Sequence, residues 1–156
     1  MALTHPQVAQ IIGVVKQDRE FCNRVTSNFA VLGRDAGGAR NAALIPFGGD
    51  LSDSRNQTIN YLCVGIACGA MAAINAAIKR GQLRMLTMSQ QATTHDGGHT
   101  GCEITMRDGS VYVVDWWQTL LIDNPVLFKG TDFMNNNFFA VWKMYGVQFR
   151  DFEAFP

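Results

Sequence analysis

Residues 97–117 read GGHTGCEITMRDGSVYVVDWW, and the register of this stretch decides what the chain can build. Residues 103–106 and 111–114 are rich in β-branched and aromatic side chains, and Arg107, Asp108, Gly109 and Ser110 between them are turn chemistry. The pattern predicts a β-hairpin with His99 at the start of its first strand and Asp115 and Trp117 at the end of its second. A two-residue Asp108-Gly109 loop would pair Arg107 with Ser110 and send His99 and Asp115 to opposite faces. A three-residue loop, 107–109, with Gly109 left-handed in a G1 bulge pairs Met106 with Ser110 instead. Then His99 lies opposite Trp117 and Gly101 opposite Asp115. His99 and Asp115 become diagonal neighbours on one face, roughly 7–8 Å apart at the backbone and within side-chain reach. Gly101 leaves room between them. The expectation is this second register. Without chemistry at its base, the stretch is a plain amphipathic hairpin with an incidental His and Asp.

The rest of the chain supplies a frame for that hairpin. Its 156 residues are enough for one domain, 1–156, with a real core. A hydrophobic share of 47% with only 17% charged residues excludes a disordered chain. The formal net charge is zero, so no electrostatic footprint favours nucleic acid or an anionic membrane. The longest apolar stretch, 61–74, is too short and too rich in Gly and Ala to span a bilayer. MALTHPQVAQ lacks the cationic start and apolar run of a secretory signal. Four scattered cysteines, Cys22, Cys63, Cys68 and Cys102, form no C-x-x-C pair and read as mostly free thiols.

Taken in order, Thr4-His5-Pro6 is a helix start. Apolar residues recur from Val8 to Leu32 at helical spacing, with Asp18 as the break. His5 is expected to be exposed and Cys22 to be core. Residues 33–53 carry Gly37-Gly38, Pro46 and Gly48-Gly49 and read as loop. The second organising element follows within 53–81. Tyr61, Leu62, Val64, Ile66, Met71, Ile74 and Ile78 give it apolar side chains, and many Gly and Ala residues make it thin. A helix apolar nearly all round is a buried, central one, and Gly81 after Lys79-Arg80 is its expected stop. Residues 84–89 read as a short strand, and 90–98 as a polar loop delivering the chain to His99. After Trp117 comes a turn at Asp123-Asn124-Pro125. Residues 138–144 read as strand, and Phe149, Phe152 and Phe155 as a tail packed on the domain.

The chemistry-bearing residues sit at the ends of these two elements. A thiolate, not a thiol, attacks carbonyl carbon, and it is favoured at a helix N-terminus facing a His. That His must itself be oriented by a third polar group. Cys63, early in the buried helix, His99 and Asp115 supply all three parts.

This order and spacing resembles the papain-like cysteine hydrolase fold. In that family a Cys opens a long buried helix, a His begins a strand, and an Asn or Asp ends the next strand. Gln57 lies six residues before Cys63, where papain-like proteases place the oxyanion-hole Gln. Trp117 follows Asp115 by two, where they place a Trp that shields the His–Asn pair. The Q-x-C-G-S-C-W signature is replaced by Gln57-Thr-Ile-Asn-Tyr-Leu-Cys63, which makes Asn60 a second candidate oxyanion donor. Asp115 in place of Asn is similar to transglutaminase-like enzymes and to bacterial papain-fold toxins. The segment His-x-x-x-Glu-Ile-x-x-x-Asp-Gly-x-Val-Tyr-Val-Val-Asp looks like the toxins' His-to-Asp stretch.

The resemblance implies an α+β papain-like fold, with the Cys helix packed on an antiparallel sheet carrying His and Asp. It implies a thiol hydrolase of amide bonds, of the effector or toxin type that deamidates Gln or cleaves proteins, with catalytic Cys63, His99 and Asp115. Its partner is a protein or peptide substrate, and no cofactor is called for. It also implies a soluble protein exported by a dedicated secretion system into a target-cell cytoplasm. Three other readings stand beside this one. The same triad serves transglutaminase-like acyl transfer. His95, His99 and Cys102 with Cys63 or Cys68 offer zinc-type ligands, although H-x-x-x-H needs a helix that Asp96-Gly97-Gly98 discourages. A non-catalytic interaction domain would leave the triad idle.

Overall fold

The computed structural model describes residues 2–32 and 63–153. Within these, two N-terminal helices, α1 (His5–Gln17) and α2 (Arg19–Leu32), precede a long helix α3 (Cys63–Lys79). An antiparallel sheet follows, made of β1 (Leu86–Thr93), β2 (Thr100–Met106), β3 (Val111–Asp115), β4 (Val126–Lys129) and β5 (Val147–Gln148), each paired with its neighbour in sequence. Between β4 and β5 lie the short helices α4 (Gly130–Met134) and α5 (Phe138–Ala140), the latter running into a π-helical turn (Val141–Tyr145). The expected α+β class, with helices on an antiparallel sheet, is observed.

Local sequence explains most element ends. The Thr4 N–H donates to Gln7 Oε1 at 2.9 Å, and Pro6 sits in the first turn of α1, where its missing N–H costs nothing. Asp18 breaks the helical run, and its carboxylate accepts from the Phe21 N–H at 2.8 Å to start α2. Gly81 ends α3 with φ +85. The Gln82 N–H reaches Ala77 O at 2.9 Å and the Gly81 N–H reaches Ile78 O at 3.0 Å, the paired bonds of a Schellman stop.

The hairpin adopts the three-residue loop. Thr105 pairs with Val111 and Cys102 with Val114. The Met106 N–H donates to Ser110 O at 2.8 Å, and Gly109 has φ +89. Even-numbered hairpin residues, Cys102, Ile104, Met106, Tyr112 and Val114, join Ile66, Ala70 and Ile74 of α3 and Val8, Ile11 and Val15 of α1 in the main core. Odd-numbered Val113 faces the other way, into a second cluster with Ala92, Val126, Phe128, Phe133 and Val141. The sheet is therefore covered on both faces, by α1–α3 on one and by the α4–α5 segment on the other. Each fully buried Ile or Leu contributes about 1.5–3 kcal/mol to that arrangement.

Several expectations are corrected. Strand β1 runs to Thr93, so 90–93 are strand and only 94–99 form the loop. Its polar residues suit a half-exposed strand, in which Leu86, Ser89 and Ala92 point inward. Residues 138–144 are helical rather than strand, started by Asn137, whose Oδ1 accepts from the Ala140 N–H at 2.9 Å. Strand β4, after the turn at Pro125, is an element the periodicity does not announce. Cys22 is half-buried, its thiol directed at the Val15 and Lys16 carbonyls. His5 is exposed as expected and stacks on Phe149, ring centroids 4.4 Å apart. The loop reading of 33–53 falls outside the described residues, as do the expected start of the buried helix before Cys63 and the place of Phe155.

Candidate active site

Helix α3 lies across β1 and β2 and runs antiparallel to β1. Three contacts set its direction. The Asn75 side chain clamps Ser89, its Nδ2 donating to Ser89 O at 3.0 Å and its Oδ1 accepting from the Ser89 N–H at 2.9 Å. Ser89 Oγ donates to Met71 O at 3.0 Å. Three residues before Met71, just under one turn, Cys68 accepts from Gln91 Nε2. As α3 is followed back toward its N-terminal end, its neighbours on β1 move toward Thr93. Cys63, a further five residues back and thus about 7.5 Å along the axis, comes to the loop that ends in His99. The thin face of α3 admits α2: a Cβ on Gly69 would lie 3.2 Å from the Phe21 ring, and Arg24 Nη1 donates to Gly65 O at 3.0 Å.

His99 and Asp115 meet as the register requires. His99 Nε2 is 2.5 Å from Asp115 Oδ2, and both side chains are essentially cut off from solvent, at 0% and 1% exposure. The second carboxylate oxygen is also used: Asp115 Oδ1 accepts from the Trp117 N–H at 2.9 Å and the Gln118 N–H at 3.4 Å. The carboxylate is thereby fixed by the turn that follows its own strand. Rings surround the imidazole, with Phe138 at 5.1 Å, Trp117 at 5.4 Å and Phe133 at 5.8 Å between centroids. Trp117, two residues after Asp115, thus lies against His99. Gly101 has a different use from the one expected. A Cβ there would lie 2.6 Å from Val113 Cγ1 and 3.2 Å from Phe133 Cζ, so Gly101 admits Phe133 rather than opening space between His99 and Asp115.

The electrostatics of the pair follow from its surroundings. Burial alone would push the imidazole pKa down. The Asp115 charge and hydrogen bond outweigh that, the adjacent Cys63 sulfur adds to the rise, and His99 is pushed up to about 10. With Nε2 committed to Asp115, Nδ1 is the nitrogen left to face a thiol. Nδ1 is buried and has no hydrogen-bond partner within bonding geometry. Cys63, itself 4% exposed, is near enough that its sulfur raises the His99 pKa both as a hydrogen-bonding and as a charged neighbour. Cys102 lies on the opposite sheet face, and its burial raises its thiol pKa well above the ordinary range.

The arrangement therefore brings Cys63, His99, Asp115 and Trp117 together. Gln57 and Asn60, the two candidate oxyanion donors, lie outside the described residues. The zinc set does not assemble. His95 is exposed, Cys102 faces away from His99, and among the described residues no group of three or more His, Cys, Asp or Glu side chains is placed to hold a metal ion. Cys68 is half-buried on α3 rather than fully in the core. Sequence reasoning missed Phe133 and Phe138, whose rings complete the wall around His99 from distant helices. It also missed Thr94 and Asp96. For Asp96 a signal existed: an Asp two residues before a Gly, in a Gly-rich loop, is an Asx-turn pattern.

Among the described residues no helix is long and apolar enough to cross a membrane. No protein-family model, curated protein or solved structure matches the chain.

Proposed function

We propose that this chain is a papain-like, cysteine-dependent hydrolase of amide bonds in protein substrates, of the effector type that deamidates glutamine or cleaves a peptide bond. One observation carries the reading. A fully buried imidazole is oriented by a carboxylate through Nε2, while its Nδ1 is unpaired and beside a cysteine sulfur. A His held this way for packing alone would leave a buried polar nitrogen unsatisfied, which costs about 1–3 kcal/mol.

In the proposed cycle the Cys63 thiol proton already rests on His99, whose pKa is raised to about 10, so the site begins as a thiolate beside an imidazolium whose charge Asp115 stabilises. The thiolate sulfur attacks the amide carbon, the C=O π pair moves to oxygen, and the oxyanion is met by backbone N–H groups at the head of α3. Nδ1–H then protonates the amide nitrogen, the C–N bond breaks, and ammonia or an amine leaves behind a thioester. A water gives a proton to Nδ1 and adds its oxygen to the thioester carbon. Collapse breaks the C–S bond, releases a carboxylic acid and restores the Cys63 thiolate beside the His99 imidazolium. Trp117, Phe133 and Phe138 keep bulk water from the His99–Asp115 bond, so the imidazolium faces the carboxylate in a low dielectric.

A small thiol reagent tests the reading. Cys22 and Cys68 are the more exposed cysteines, so alkylation ordered by exposure spares Cys63. Preferential alkylation of Cys63 near neutral pH, lost in His99→Ala, is expected of an activated thiolate. Intact-mass measurement on protein substrates then separates the outcomes, since deamidation exchanges NH₂ for OH and proteolysis divides the chain. Cys63→Ala should abolish turnover and leave the fold standing, because Ala suits a helix. Retained turnover in Cys63→Ala with loss in Cys68→Ala overturns the assignment.

A further inference from the structure

The loop that presents His99 is closed on itself and then tied to a second element. The Thr94 N–H donates to His99 O at 2.9 Å, and the His99 N–H donates back to Thr94 Oγ1 at 3.1 Å. The Thr94 hydroxyl donates in turn to Asp96 Oδ1 at 2.7 Å, which also accepts from the Gly98 N–H at 3.1 Å. The other oxygen, Asp96 Oδ2, accepts from the Phe138 N–H at 3.3 Å. Beside it the His95 N–H donates to Asn136 O at 2.9 Å. Packing agrees with the hydrogen bonds: a Cβ on Gly98 would lie 3.2–3.3 Å from both Asp96 oxygens and from Phe138 Cβ. Asp96 and the start of α5 are thus packed so closely about position 98 that a side chain there would make them give by a few tenths of an ångström.

We infer that Asp96 is a positioning residue for the candidate site: its carboxylate links the His99 backbone, through the Thr94 hydroxyl, to the Phe138 backbone. This inference rests on the proposed role of His99. Asp96 touches none of the reacting groups. It acts because His99 stands just outside strand β2, where the ladder holds its carbonyl through the Thr94 N–H but its own N–H rests on the Thr94 hydroxyl, and because Phe138 lies against the imidazole. One exposed carboxylate therefore sets both the ring and part of its cover. The Thr94 hydroxyl, the Gly98 N–H and the Phe138 N–H all favour its charged form, and its pKa lies below the usual carboxylate value despite some opposing burial.

Three variants cut the link at different places. Thr94→Val removes the hydroxyl that accepts from the His99 N–H and keeps the side-chain shape. Asp96→Asn keeps one acceptor, which two donors, Thr94 Oγ1–H and Gly98 N–H, draw to the Oδ1 side; an NH₂ group then confronts the Phe138 N–H. Asp96→Ala cuts both arms. The readouts are the downfield proton resonance of the His99–Asp115 hydrogen bond and the rate of Cys63 alkylation, with thermal melts alongside.

Asp96→Ala is expected to shift or broaden that resonance and slow alkylation roughly tenfold or more, since a misplacement of about 1 Å can cost up to about 10²-fold. Thr94→Val should move the resonance as well, and Asp96→Asn should move it less. An unchanged resonance and rate in folded Asp96→Ala and Thr94→Val overturns the inference. If Asp96→Ala fails to fold, Asp96→Asn and Thr94→Val decide by the same two readouts. The reading of the site fails separately. If His99→Ala leaves Cys63 alkylation unchanged, catalysis by His99 falls, while the resonance still reports whether Asp96 positions the ring.

Discussion

Nε2 of His99 lies 2.5 Å from Oδ2 of Asp115, and neither group reaches water. Desolvating two charges costs several kcal/mol each, and their attraction in the interior offsets this only when the remaining polar atoms are satisfied. Asp115 meets that condition through the Trp117 and Gln118 N–H groups. His99 does not, because Nδ1 is left open. The Cys63 sulfur lies beside the ring and adds to the rise in the His99 pKa.

Asp115→Ala is expected to lower kcat/KM by roughly 10³-fold or more, on the precedent of triads that lose an orienting acid. Stability should also fall by about 3–5 kcal/mol, the usual result of leaving half of a buried pair. Asp115→Asn should lose less activity, since an amide oxygen can still accept from Nε2. That oxygen is then unavailable to the Trp117 N–H, so the melt should drop as well. Kinetics and melts on both variants check this, and full activity in Asp115→Ala would reduce the site to a Cys63–His99 dyad.

The His99 pKa makes a pH window. Its folded value, about 10, exceeds the ordinary 6.5, so the folded state holds the proton more tightly than the unfolded state. The resulting stabilisation is fully present below about pH 6.5 and is lost as pH rises through about 10. Melting temperatures from pH 6 to 11 should therefore fall more steeply in the parent protein than in Asp115→Asn. Parallel curves would remove the raised His99.

Gly109 tests the hairpin turn. Its φ is +89, and a Cβ there would meet nothing within 4 Å, so any cost of substitution is in the backbone alone. Gly109→Ala should cost about 1–2 kcal/mol, a fall in Tm of roughly 2–8 °C for a chain this long. Gly109→Asn should cost less, because Asn tolerates the left-handed region. An equal fall for both would argue against the bulged loop.

Asn75 tests the clamp that aligns α3 with β1. Asn75→Ala leaves the Ser89 N–H and C=O without their side-chain partner, at a cost of about 1–3 kcal/mol. Hydrogen exchange at the Ser89 amide should accelerate selectively. Exchange unchanged from the parent would mean that the sheet, not Asn75, protects that group.

The hairpin was legible because its information is local. Two β-rich runs, a Gly at the one position needing positive φ, and the period-2 rule were enough to put His99 and Asp115 on one face. The stop of α3 at Gly81 and the break at Asp18 were legible for the same reason. The course of β1 past Ser89 was not. Gln90, Gln91 and Thr93 carry no strand signal of their own and are ordered by pairing with Glu103, Cys102 and Thr100. Residues 138–144 misled because aromatic side chains favour strands locally, whereas Asn137 starts a helix there and Val141 packs inward. Phe133 and Phe138 reach His99 only through the tertiary fold, and Asp96 acts through a backbone N–H 42 positions away.

Helix α3 precedes the hairpin in the chain, and this sets the timing of biosynthesis. Cys63 leaves the ribosome 52 residues before Asp115. At about 5–20 residues per second this is an interval of roughly 3–10 s. For the first 36 of those residues the thiol has neither His99 nor Asp115, and for the rest it lacks Asp115. The hairpin, once emerged, closes within about 1–10 μs. A nascent chain therefore carries Cys63 without its full set of neighbours over about a third of its length, and the proposed site is complete only once Asp115 is clear of the exit tunnel.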